Sequence, residues 1–248
     1  MRLRDTIAVA LVALLVATSC SRLTFIKPNL KRHGYIQVAP EYTVRSDPRD
    51  KQRIAAIDRI ALAGQRLGAG QLDEAEIEAK AALKADPQSS DGYTILAMIQ
   101  EQRGHAAQAG GHYAKAVDLA PTRGAVLNNY GAWMCGNGRA AESLVLFDRA
   151  LADPAYPTPA AALANAGSCA LTAGQTARAE RDLRRALELD PGSPAALAAM
   201  ADSEYRAGHY LAARAFSERR LAAAPATAQV LQLASQIEQK LGDMAAAA

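Results

Sequence analysis

Apolar and polar positions divide the chain into three stretches with different rhythms. Residues 6–17 form an uncharged, mostly apolar run behind Arg2 and Arg4. Residues 21–50 keep no sustained period of 3.6 or 2, and Pro28, Pro40 and Pro48 interrupt them. From Ala56 onward one phrase recurs. It reads Ala81-Ala82-Leu83-Lys84-Ala85-Asp86-Pro87, then Lys115-Ala116-Val117-Asp118-Leu119-Ala120-Pro121, then Arg185-Ala186-Leu187-Glu188-Leu189-Asp190-Pro191, and finally Arg220-Leu221-Ala222-Ala223-Ala224-Pro225. A glycine stands at one fixed distance before each of these prolines, at Gly70, Gly104, Gly174 and Gly208, with Gly138 and Gly242 in the same phase. Glycine permits a tight turn between two helices, and proline ends the second helix before the next unit begins. Small residues recur where two helices must approach closely, at Ala75, Ala109, Ser143, Ala179, Ala213 and Ala247.

Helix–turn–helix units recurring about every 34 residues, with small residues at the crossing, resemble the tetratricopeptide repeat (TPR) family. That resemblance implies an all-α fold, a right-handed α-α superhelix of five full repeats plus a capping helix. The repeats fall at residues 56–89, 90–123, 124–159, 160–193 and 194–227, with the cap at 228–248, inside a repeat domain of residues 51–248. Repeat three is longer, with an insertion at Asp153-Pro154-Ala155-Tyr156-Pro157-Thr158-Pro159. Such units bury their apolar faces only by stacking, and their first helices line a concave side suited to protein segments.

The N-terminal run reads as a secretory signal over residues 1–19: a charged start, a short apolar core and small residues before a break. It is too short to span a bilayer, which takes roughly 20 apolar residues. A buried N-terminal helix is the alternative. Val16-Ala17-Thr18-Ser19-Cys20 resembles a bacterial lipobox. The resemblance implies cleavage before Cys20, lipid on its sulfur and amine, and, with Ser21 next, sorting to the outer membrane. Residues 20–50 are then a lipidated N-terminus and a flexible tether.

Composition narrows the rest. Half the residues are hydrophobic but only 5% are aromatic, which argues against a β-sandwich. A net charge of +3 gives no footprint for nucleic acid. The four histidines, His33, His105, His112 and His209, fall in no metal-ligand spacing, and no phosphate loop or nucleophile elbow occurs. The sequence therefore predicts no enzyme, no cofactor, no metal and no small-molecule substrate.

Asn128-Asn129-Tyr130-Gly131-Ala132-Trp133-Met134-Cys135, followed by Gly138-Arg139-Ala140-Ala141-Glu142-Ser143 and Asn165-Ala166-Gly167-Ser168-Cys169, resembles the type IV pilus biogenesis lipoproteins of the PilF/PilW family. This implies a pilotin-like role, helping the outer-membrane secretin subunit reach the membrane and form its multimer. A generic periplasmic TPR scaffold lipoprotein is the alternative.

Several residues are candidates for the concave face. Asn129 and Asn165 occupy the same slot of successive first helices, and Asn128 sits beside Asn129. Amides there could pair with a peptide backbone, or could instead cross-link neighbouring helices. Met98, Ser168 and Tyr205 are placed on the same face, with Asp91, Thr94, Asp202 and Arg206. Trp133 reads either as core or as a partly exposed anchor. Tyr113 and Phe147 take core slots. Cys135 and Cys169, on adjacent first helices, come close enough for a disulfide in an oxidising compartment. Two small buried hydrophobes are the alternative.

Overall fold

The computed structural model describes residues 47–242. Cys20, the signal segment and nearly all of the tether lie outside the described residues, as does Ala247. Eleven helices run in sequence among the described residues, and no strand occurs there. They are α1 (Pro48–Gly68), α2 (Leu72–Ala85), α3 (Ser90–Gln102), α4 (Ala106–Leu119), α5 (Gly124–Gly136), α6 (Ala140–Leu151), α7 (Pro159–Thr172), α8 (Thr176–Leu189), α9 (Pro194–Arg206), α10 (Tyr210–Ala223) and α11 (Ala228–Leu241). Odd-numbered helices are the first of each pair and even-numbered ones the second. The first helix begins at Pro48, so it takes in the last three residues expected of the tether. At 21 residues it is longer than the other ten. Proline suits a first helical position, because its ring fixes φ and its missing N–H would have no intrahelical partner there.

The turn inside each pair is built one way. Gly70, Gly104, Gly138, Gly174, Gly208 and Gly242 all adopt φ between 73° and 83°, a left-handed conformation that a side chain resists. In the first five turns the amide after the glycine donates five positions back. The pairs are Gln71 to Arg66, His105 to Gln100, Arg139 to Met134, Gln175 to Ala170 and His209 to Glu204, at 2.8–2.9 Å. This bond satisfies a carbonyl that the ending helix would leave orphaned. Side-chain caps start three first helices: Ser89 accepts from the Gly92 amide, Ser193 from Ala196 and Thr227 from Val230.

Small residues set the packing distance. Ala75, Ala109, Ser143, Ala179 and Ala213 are fully buried at the helix crossings. Facing them, Gly131 lies under the Phe147 ring and Gly167 under Leu183. A Cβ at Gly167 would stand 2.5 Å from Leu183 Cγ. Phe147 and Leu183 are themselves fully buried. Polar links also join neighbouring repeats. Arg178 on α8 donates to the Asp148 carboxylate at 2.6 Å and to the Leu144 carbonyl at 3.3 Å, both on α6. Arg149 and Arg219 donate back to the Pro121 and Pro191 carbonyls at 2.6 and 3.0 Å. Exposed pairs of this kind contribute about 0–1 kcal/mol each, so buried apolar packing carries the stack.

The insertion in repeat three folds back onto its own repeat. Asp153 Oδ2 accepts from the Gly124 amide at 2.7 Å, at the start of α5, and Oδ1 accepts from the Ala155 amide at 2.9 Å. The buried Tyr156 ring covers Gly124, where a Cβ would collide with it at 2.7 Å. The Gly124 amide, then the Ala155 amide, hold the Asp153 carboxyl below its ordinary pKa.

Two outcomes follow. Gly104→Ala, which places a methyl on a left-handed residue, should cost about 1–2 kcal/mol in chemical denaturation. The Asp153 carboxylate stabilises the fold above the ordinary carboxylate range, and that contribution disappears as pH falls through its depressed value. Asp153→Asn should therefore lower the melting temperature at neutral pH and lessen its fall on acidification. An unchanged pH profile would contradict this role.

Candidate inner-face binding site

First helices of successive units touch one another along the whole stack. Second helices of successive units stand farther apart among the described residues and meet only through long side chains such as Arg178. The stack is therefore compressed on the side of the first helices, which makes that side the inner face. Side chains pointing inward from α3, α5, α7, α9 and α11 are the candidates for contact with a partner.

Between α5 and α7 the inner face is closed by side chains. Asn165 Nδ2 donates to Asn128 Oδ1 at 3.0 Å, and Asn128 is 9% exposed. Cys135 and Cys169 are joined between the same two helices, their Cα atoms 5.8 Å apart. Asn165 thus meets Asn128 rather than its slot equivalent Asn129, which is half-buried beside it. The amide pair cross-links neighbouring helices, and each Asn has spent part of its hydrogen-bonding capacity on the other.

Beyond this closure the inner face opens. A groove of about 500 Å³ is lined by α7, α9 and α11. Its floor is largely alanine: Ala164 from α7, with Ala195, Ala198 and Ala199 from α9. Asn165 and Ser168 stand on the α7 wall, and Gln229, Gln232 and Gln236 on the α11 wall. Its two charged residues, Asp202 and Arg206, lie one helical turn apart and pair with each other at 2.8 Å. The groove carries hydrogen-bonding groups on its walls, no uncompensated charge and little side-chain bulk on its floor.

The remaining candidates fall outside it. Trp133 packs into the joint between repeats two and three. A Cβ at Gly110 of α4 would stand 2.4 Å from its Cη2, and the Tyr113 and Tyr130 rings lie 6.2 and 5.8 Å away. The half-buried indole faces the preceding second helix, where Gly110 leaves room for it. Tyr113 donates to Glu101 at 2.9 Å, and burial pushes its phenol up. Met98 is half-buried against the clusters of repeats one and two. Thr94 is buried and donates to the Ser90 carbonyl at 2.9 Å, and Asp91 pairs with Arg123 at 2.9 Å. Tyr205 lies at the end of α9, its ring 5.6 Å from that of Tyr210. Phe147 is in the core. The three glutamines of α11 did not emerge from the sequence reading, although their spacings of three and four mark one face of a helix.

No group of residues suited to a metal ion occurs among the described residues, and no helix there is long and apolar enough to cross a membrane.

Comparison with known proteins places this geometry. A tetratricopeptide repeat profile matches residues 170–237. The type IV pilus assembly protein PilF of Pseudomonas aeruginosa is 29% identical over 168 residues, 67% of each chain. The crystal structure of PilW, a widely conserved type IV pilus biogenesis factor, superposes with a TM-score of 0.71 at 31% identity. That match covers 77% of this chain and 88% of PilW. The structure of Pseudomonas aeruginosa pilF gives 0.69 at 26% identity, over 81% of this chain and 89% of that one. The fold is a TPR solenoid.

The Cys135–Cys169 link closes a loop of 34 residues, for which chain entropy gives roughly 3–4 kcal/mol of stabilisation. A protein spanning residues 21–248, unfolded without reductant, should show no free thiol, and reductant should lower its melting temperature. Two reactive thiols would rule the link out.

Proposed function

Because this chain belongs to the PilF/PilW family of type IV pilus biogenesis proteins, we propose that it is a pilotin-like outer-membrane lipoprotein. On this reading Cys20 carries the lipid and the repeat domain faces the periplasm. Its inner face binds the secretin subunit of the type IV pilus and assists that subunit in reaching the outer membrane and forming its multimer. The protein works by binding rather than by catalysis.

The observation that carries the reading is the PilW likeness over 77% of this chain, combined with an inner face left open from α7 to α11. The lipobox-like run ending at Cys20 supports the anchor. Buried acyl carbons contribute about 0.8 kcal/mol each, and two or more chains make anchoring stable.

Deletion of the gene should deplete the heat-stable secretin multimer and abolish twitching, with both restored by the wild-type copy. Cys20→Ala should leave a folded protein that no longer fractionates with the outer membrane. A normal multimer in a clean deletion would refute the secretin role. Unchanged fractionation of Cys20→Ala would refute the anchor.

A further inference from the structure

The two walls of the inner-face groove are held in different ways. On one side α7 is tied to α5 by the Asn128–Asn165 bond and the Cys135–Cys169 link, and it packs along α9. On the other, α11 rests chiefly on α10 and barely meets α9 across the groove. It buries one residue, Ile237, where α3, α5, α7 and α9 bury five to seven each. Leu231, fourth in α11, is 53% exposed, whereas its slot equivalents Leu127, Leu163 and Leu197 are buried. A helix with so little buried apolar surface opens at a smaller free energy than the stack it leans on.

The connection into α11 is built as a pivot. Buried Arg220 of α10 donates to the Ala224 carbonyl at 2.9 Å and to the Pro225 carbonyl at 3.3 Å, which clamps the first half of the connection to α10. Thr227 accepts from the Val230 amide at 3.4 Å, so the second half belongs to α11. Ala226 stands between clamp and cap. Rotation of a few such connecting residues moves a helix as one body. An ion pair holds the far end: Arg214 Nε of α10 lies 3.1 Å from Glu238 Oε1, and 3.0 Å from Glu218 Oε1 on its own helix. Glu238 Oε2 is buried with no hydrogen-bond partner. An oxygen in that state raises the free energy of the docked position, and lifting α11 returns it to water.

We propose that α11 is a hinged wall, exchanging between a docked position latched by Arg214 and Glu238 and a lifted position that widens the groove. The pivot lies at Ala226. An occupant that touches both α9 and α11 favours the docked position, so binding closes the groove around it. The motion belongs to the folded repeat domain and holds whether or not the partner is the secretin subunit.

The test is hydrogen exchange read by mass spectrometry on the disulfide-intact, lipid-free protein of residues 21–248. Backbone amides of α11 should exchange about tenfold or more faster than those of α7 and α9. Arg214→Ala should speed α11 further and leave α7 and α9 unchanged. Double electron–electron resonance then separates a hinge from a melting helix. Spin labels go on Ala177→Cys in α8 and Gln239→Cys in α11, both exposed positions. Two distance populations are expected, with Arg214→Ala shifting weight from one to the other. Exchange in α11 as slow as in α9, equal acceleration of both helices by Arg214→Ala, or a single distance population, narrow or broad, would each overturn the proposal. None of these readouts depends on the secretin multimer in a deletion strain, so the two readings fail separately.

Discussion

Close approach of two helices at a position that tolerates nothing bulky is the constraint from which the architecture follows. Within each pair the second helix presents a buried Ala or Ser at the crossing. In repeats three and four the first helix presents Gly131 or Gly167 beneath Phe147 or Leu183. A Cβ at Gly167 would intrude to 2.5 Å, so the spacing cannot absorb even a methyl without shifting the partner. The left-handed glycine between the helices fixes the angle at which they leave the turn. Repeating these two devices stacks pairs with a constant step. Ion pairs on the outer surface follow this geometry rather than cause it, because exposed pairs contribute little beside buried apolar packing.

Curvature is a consequence of the same packing. First helices of neighbouring repeats lie closer together than second helices do, so the stack bends toward the first helices. The inner face then divides into two regions with different chemistry. Between α5 and α7 it is tied by the Asn128–Asn165 amide bond and the Cys135–Cys169 link. From α7 to α11 it is open, floored by alanine and walled by amides. The tie fixes α7 against its predecessor, which makes one wall of the open groove rigid.

Much of the fold was legible in the sequence because its determinants are local. The phased glycines announce the turns, and the proline-terminated phrases announce the ends of second helices. The insertion after Ala152 was visible as a break in phase, but its role was not. Asp153 caps α5 and Tyr156 covers Gly124 across about 30 positions, a contact that no local pattern encodes. The direction of Trp133 was hidden for the same reason. Its spacing from Tyr130 fits either core or surface, and the deciding residue is Gly110 on another helix. Asn165 was placed on the inner face from its slot alone, yet its partner is Asn128 rather than its slot equivalent Asn129. The glutamines of α11 were passed over because that helix was read as a cap, although their spacing was there to be seen.

The account holds that a partner polypeptide lies against the first helices and leaves the second helices in solvent. Photocrosslinking in intact envelopes tests this most directly. A photoreactive amino acid is placed at Ala198 on the floor of the groove or at Val145, which is 60% exposed on the second helix α6. Crosslinking of the secretin subunit from position 198 and not from position 145 is the expected result. Crosslinking from position 145 with none from position 198 would contradict it.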